Sequence, residues 1–467
     1  MSKRWMMLIT VLAVLGLVAA ACGDDGDEGG DTTDTEAPET TETTAAPDEG
    51  EDTEGDDTDG DDDAPAEDIV LTDSFRGVTA DTIKIGATAV DFDALRNDFG
   101  LDITFQAFAP QVDAIVAWYN ENGGVLGRQI EVVHEIFLPV GAVTAEEACV
   151  RLTEDEEVFA VINGFSGPGA EDQNVCFGEL HDTILVGGLP SADQATAAGG
   201  LWVTTDMSPD RRIPAGVDLL DEAGLIEELG TVMVVGSNPI EEPQVRAMAE
   251  AFRSKGLEVP VEVWVTTSGD EQATQSEVEV FIERARSEGV TTVAMIGEGE
   301  FRNGAFFADA PEFTYYFANG DRITDWQAIP PLNMQEGTRV LTNRGRPASP
   351  VWDDRLQECI DVVEAAQGVE VKPPEELGET DDNYWSGTSG TCQRLAMFVQ
   401  IAEAAGPDLT NDSWIAALDQ VPDLGIPGYE FVSISADKVD ARDELLLAEY
   451  DLATLSFDEL TEPVDLG

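Results

Sequence analysis

From Thr82 onward the chain alternates short apolar runs with longer amphipathic ones, and that rhythm leaves few architectures open. Runs rich in β-branched residues at 82–87, 129–135, 158–163, 183–187, 231–235, 261–265 and 291–296 predict strands. Helix-length segments, among them 142–155, 243–255 and 277–287, separate most of them. Strand, helix, strand at this spacing predicts parallel sheets covered by helices on both faces, an α/β fold. Residues 69–467 are long enough for two ordinary domains, and a single sheet would be unusually wide, so two sheets are expected.

The chain before this region obeys a different logic. Residues 23–68 contain 22 of the 95 acidic residues and no Lys, Arg or aromatic residue. Such a segment buries no core, and its own repulsion keeps it extended, so 22–72 is expected to be a disordered acidic tether. A calcium-binding tail would need a repeated ligand spacing that is absent from this stretch. Ahead of it stand Lys3 and Arg4, an apolar run over 5–18 interrupted only by Thr10 and Gly16, the triplet Ala19-Ala20-Ala21, and Cys22. The run is too short and too one-sidedly flanked for a membrane-spanning helix, and the arrangement resembles a bacterial lipoprotein signal. That resemblance implies removal of residues 1–21, lipid on Cys22, and a mature chain anchored to the outer face of the cell membrane. An ordinary secretory signal, leaving Cys22 free, is the alternative.

Beyond the tether the remainder carries 73 acidic residues against 22 Lys and Arg, which makes nucleic acid and anionic membrane surfaces poor partners. Four cysteines remain, Cys149, Cys176, Cys359 and Cys392, and in an exported chain they favour two disulfides. Three pairings are possible; the sequence-local one, Cys149 with Cys176 and Cys359 with Cys392, is expected. A metal site is the rival reading, but the sequence has no Cys-x-x-Cys and only two histidines, His134 and His181, so no metal or other cofactor is assigned.

The clearest local signature runs Ala117-Trp118-Tyr119-Asn120-Glu121-Asn122-Gly123-Gly124-Val125-Leu126-Gly127-Arg128-Gln129. A helix with Ile115, Val116 and Tyr119 on its packed side ends at paired glycines, and a second turn at Gly127 launches a strand. With the opening strand Ile83-Lys84-Ile85-Gly86, this run resembles the periplasmic binding proteins of the branched-chain amino acid type, the type 1 fold that serves ABC importers. The similarity extends over about residues 81–451. It implies two doubly wound parallel-sheet lobes joined by a three-segment hinge. The lobes would comprise 73–205 and 343–422 for the first and 206–342 for the second, with a last crossing and C-terminal segment in 423–467. The expected crossovers fall near 203–208, near 339–344 and after Pro422.

The same resemblance places ligand contacts in loops after the strands. In the loop 163–170, Ser166, Gly167 and Gly169 offer a hydroxyl and open backbone N–H groups to a carboxylate or other polar anion, and in the loop 187–193 Ser191 and Ala192 offer the same. Each serine could instead be a plain helix cap. In the second lobe the expected contacts are Asn238, Glu298 and Asn319, and no tyrosine stands where the family's amino acid binders hold the α-amine, so Leu, Ile or Val as ligand does not follow. Tyr384 or Trp385 could enclose a ligand or fill the first lobe's core. The aromatic cluster of Phe306, Phe307, Phe313, Tyr315, Tyr316 and Phe317 reads as packing.

An enzyme has to be weighed because Gly164-Phe165-Ser166-Gly167-Pro168 nearly matches Gly-x-Ser-x-Gly, but Pro168 replaces the last glycine and the only histidine after Ser166 is His181. No phosphate-binding loop or dinucleotide fingerprint occurs. The expected protein is therefore a monomeric, lipid-anchored solute receptor, not an enzyme, that captures a small polar molecule and works with an ABC permease and ATPase. The alternative is an extracellular sensor built on the same clamp. The scarcity of lysine in so acidic a chain also suggests a saline habitat. If self-repulsion limits stability, the melting temperature should rise between low and about 1 M salt, where the screening length is only about 3 Å; an unchanged value would rule that out.

Overall fold

The computed structural model describes residues 70–98, 100, 103–138, 142–163, 170–267, 271–296, 307, 310–318, 337–342, 353–373, 376–378, 380–421, 424–451, 453 and 456–467. The first sheet has five parallel strands, β1 (Thr82–Val90), β2 (Gln129–Phe137), β3 (Ala160–Asn163), β4 (Ile184–Val186) and β5 (Trp202–Val203), in the order β2-β1-β3-β4-β5. β1 pairs in register on both sides, Thr82 opposite Gln129 and Ile85 opposite Ala160. It is buried along nearly its whole length, whereas β2 at the edge carries several exposed or half-buried positions.

Helices cover this sheet: α1 (Phe92–Asn97), α2 (Ala109–Glu121), α3 (Ala142–Val150), α4 (Ala170–Val175) and α5 (Ala192–Ala198) lie between its strands. Later in the chain α9 (Asp354–Gln367), α10 (Trp385–Ala405) and α11 (Asn411–Leu418) return to the same unit, and their Leu356, Ile360, Leu395, Phe398 and Trp414 share one core with Ile83, Ile85 and Ile115. Both disulfides form as the sequence-local pairing requires, Cys149–Cys176 and Cys359–Cys392, with Cα atoms 6.3 and 6.1 Å apart.

The turn motif owes its residue types to this packing. Gly124 sits at φ +61°, and a Cβ there would stand 2.0 Å from the Arg128 carbonyl oxygen, so no other residue fits. The Asn120 side chain accepts from the Ile130 N–H and donates to the Ile130 carbonyl, tying the helix end to the first turn of β2. Arg128, fully buried, donates to the carbonyls of Thr79, Thr72 and Pro407 and so joins three distant segments. Its charge is solvated by backbone dipoles in place of water.

The second sheet is parallel through β6 (Val232–Gly236), β7 (Val261–Trp264), β8 (Thr292–Ile296), β9 (Thr314–Phe317) and β10 (Arg339–Thr342). β11 (Glu444–Asp451) then adds antiparallel to β10, and β12 (Ser456–Glu459) and β13 (Val464–Asp465) pair antiparallel with β11. This mixed edge departs from a purely parallel expectation for the second lobe. A strand arriving from the first unit meets β10 head to tail, and the chain between β11 and β12 is too short for a parallel crossover. Helix α6 (Pro209–Glu222) leads from β5 into β6, and α7 (Glu242–Ser254) and α8 (Glu271–Glu288) lie between this sheet's strands. The aromatic residues Phe307, Phe313, Tyr315, Tyr316 and Phe317 are buried here as packing, with the Tyr315 hydroxyl donating to the carbonyls of Phe307 and Ala310; Phe306 lies outside the described residues.

Replacing Cys359 and Cys392 together by alanine should cost about 3 to 4 kcal/mol, because the unfolded chain regains the entropy that closing a loop of this length removes. Urea unfolding of the double variant measures it, and a loss below about 1 kcal/mol would contradict a constraint acting through the unfolded state.

Candidate functional site

Two connections between the sheets run side by side. Thr204, just after β5, forms a parallel bridge with Asp440, just before β11; the Thr204 N–H donates to the Val439 carbonyl and the Ala441 N–H to the Thr204 carbonyl, each at 2.9 Å. The third lies between β10 and α9, and residues 343–352 there are outside the described set.

Around this pair the chain gathers charge. Asp206 accepts from Arg212 at 2.9 Å and also from Arg442, whose guanidinium lies 5.3 Å over the Tyr429 ring. Arg211 bridges Asp440 at 3.1 Å and Asp443 at 2.6 Å, and Lys438 holds the same Asp443 at 2.8 Å. The Asp440 carboxylate also accepts from the Ser208 N–H at 2.7 Å. Burial pushes the Lys438 amine down, opposed by its contact with Asp443. Burial pushes the Glu444 carboxyl up despite N–H donors from Glu430 and Phe431.

Beside the crossovers, a recess opens where α2 and α10 converge over the C-terminal half of β1. Ligands of open α/β sheets bind outside the carboxyl ends of the strands, so this is the place chemistry would favour. Thr88 of β1 and Ile162 of β3 form its floor, Phe108 and Val112 one side, Thr391 and Arg394 of α10 the other. His134 of β2 also lines it, with Nε2 2.6 Å from the Asp113 carboxylate. Arg394 leans back along its helix over Gly390: a Cβ on that residue would come within 2.9 Å of Nη1. Burial pushes the Arg394 guanidinium down, and Tyr429 and Asp206 partly oppose this.

The residues singled out from sequence fall in three groups. Cys22, Ser166, Gly167, Gly169, Glu298 and Asn319 lie outside the described residues. Ser191 and Asn238 both carry capping bonds. The Ser191 hydroxyl accepts from the Gln194 N–H at 3.3 Å while the Ser191 N–H donates to the Gln194 side chain at 2.9 Å, and the Ala192 N–H donates to the Asp210 carboxylate at 2.7 Å. Asn238 accepts from the Ile240 N–H and donates to Glu241. Tyr384 packs against the first unit's core, in which its neighbour Trp385 is buried. Of the rival metal ligands, Cys149 and Cys176 are joined to each other and His181 lies beside them, so their sulfurs are not available as thiolates. Arg394, Thr391 and His134 were not singled out: a lone arginine in a polar stretch of helix gives no sequence signal of a recess formed by distant strands.

The fold is that of the substrate-binding proteins of ABC transporters. A protein of this kind from Desulfitobacterium hafniense, in complex with Leu, superposes with a TM-score of 0.54 at 16% identity, over 81% of this chain and 100% of its own. A solute-binding protein from R. palustris in complex with 4-hydroxybenzoate gives 0.58 at 15% identity, over 83% and 98%. The fatty acid ABC transporter substrate-binding protein from Thermomonospora curvata gives 0.56 at 17% identity, over 85% and 95%. No protein-family model matches the chain, and no curated protein matches it.

Replacing Asp206 by Asn should destabilise the protein by about 2 kcal/mol, because two buried guanidiniums lose their shared charge while the partly exposed carboxylate softens the loss. Thermal or urea unfolding reads this out; an unchanged midpoint would show that Asp206 is not the keystone of the crossover.

Proposed function

We propose that this chain captures a small solute between two lobes and delivers it to an ABC importer. The observation that carries the reading is the architecture itself: two sheets, each with its own core, joined through narrow connections, two of which are hydrogen-bonded to each other. A joint of that kind lets two lobes close on a ligand, and the closed form presents a surface that a transporter distinguishes from the open one. The proteins of this fold named above are binding proteins whose descriptions specify Leu, 4-hydroxybenzoate or fatty acid transport. All three are carboxylic acids, which supports an acid as the captured solute. In this reading the protein transforms nothing.

The leader, lipidated Cys22 and acidic tether would hold a monomeric receptor at the outer face of the membrane, within reach of permease and ATPase. Among the described residues no helix is long and apolar enough to cross a membrane. Ser166, Gly167 and Gly169 remain the proposed contacts in the first lobe, with Ser191 and Ala192 available if ligand displaces their capping bonds. Asn238, Glu298 and Asn319 are proposed for the second lobe, and Tyr384 for the rim.

A thermal-shift screen of small acids, amino acids and amides, followed by small-angle scattering with any hit, tests this. A true ligand should raise the melting temperature by mass action and reduce the radius of gyration. A tight binder that leaves the radius unchanged would remove the clamp.

A further inference from the structure

The five cations around the crossovers and recess are not equivalent. Arg211, Arg212, Lys438 and Arg442 each hold an aspartate as an ion pair. Arg394 does not: among the described residues its guanidinium forms no ion pair or hydrogen bond, and Asp206, engaged with Arg212 and Arg442, acts on it only electrostatically. Arg128 also lacks a carboxylate, but three backbone carbonyls take its place, and Arg394 has no such substitute among the described residues. It is also placed where an outside group can reach it. It lines the recess, it retains partial exposure, and Gly390 leaves room for its head.

The rest of the recess specifies more than charge. Half-buried Phe108 and the buried Val112 and Ile162 line the recess beside the guanidinium, and Thr391 stands one helical turn away from it with a hydroxyl. A planar cation with five donors matches a carboxylate through paired hydrogen bonds, and an apolar wall next to it suits the body of an amphiphilic acid. We propose that Arg394 is the anion-recognition group of the solute site, binding the carboxylate of a small monocarboxylic acid whose apolar body packs on Phe108, Val112 and Ile162. This deepens the solute-capture reading and rests on it. The ligand's charge would offset the unfavourable burial of the guanidinium, which loses much of its water without gaining an internal partner.

The test uses the full chain and titration calorimetry with benzoate, 4-hydroxybenzoate, hexanoate and leucine, and with benzamide and hexanamide as neutral counterparts. At least one carboxylate should bind, and for benzoate or hexanoate the matching amide should bind at least about 30-fold more weakly. Arg394→Gln should weaken the bound carboxylate by at least about 30-fold, and Arg394→Lys, which keeps the charge but not the fork, by about tenfold. The ligand-free melting temperature of Arg394→Lys should match the parent; if Arg394→Gln fails to fold, the lysine variant and the amide comparison still decide. Equal binding of acid and amide, or carboxylate binding indifferent to both substitutions, would overturn the assignment, as would failure of all four carboxylates to bind. These results separate from failure of the underlying reading: a neutral solute from the wider screen that compacts the protein would leave solute capture standing without Arg394, whereas no ligand of any charge would remove both.

Discussion

Two strands of chain pass between the sheets side by side at Thr204 and Asp440, and everything that distinguishes this molecule from two separate α/β domains depends on that pairing. The backbone bonds there are few, so the joint is reinforced by charge. Asp206, Asp440 and Asp443 are each shared among at least two basic or backbone donors, and the shared carboxylates knit the outgoing and returning segments together. Partly buried pairs of this kind are less screened by salt than surface pairs. Four of the chain's scarce basic residues, Arg211, Arg212, Lys438 and Arg442, stand in this less screened place.

Much of the fold was legible because parallel strands buried on both faces must be written in continuous apolar residues. Val232–Gly236 and Thr292–Ile296 are buried throughout, and Thr292 at the start of the second is their only polar position. The C-terminal strands were not legible. Glu444-Leu445-Leu446-Leu447-Ala448-Glu449-Tyr450-Asp451 has the residue types of a helix, and only the antiparallel edge offered by β10 makes it a strand. β5 is two residues long and exists because β4 lends it hydrogen bonds.

The site was less legible than the fold for a related reason. Ser191 and Asn238 stand at loop ends, where a sequence motif marks them, but capping a helix and touching a ligand call for the same residue types at the same places. Arg394 has no such marker. Its significance comes from Gly390 beneath it and from strands far earlier in the chain, those of Thr88, His134 and Ile162. Arg128 shows the opposite case, an arginine inside a recognisable motif whose role, joining Thr72, Thr79 and Pro407, is wholly architectural.

Both disulfides staple helices of the first unit, and no cysteine belongs to the second sheet or its helices. The two halves thus differ in how they can fail. Heat or a protease that opens the second half leaves the first covalently braced, so loss of structure can remain partial. With no thiol in the opened half to exchange, it can close again without scrambling its neighbour's bonds. That asymmetry amounts to a built-in capacity for repair.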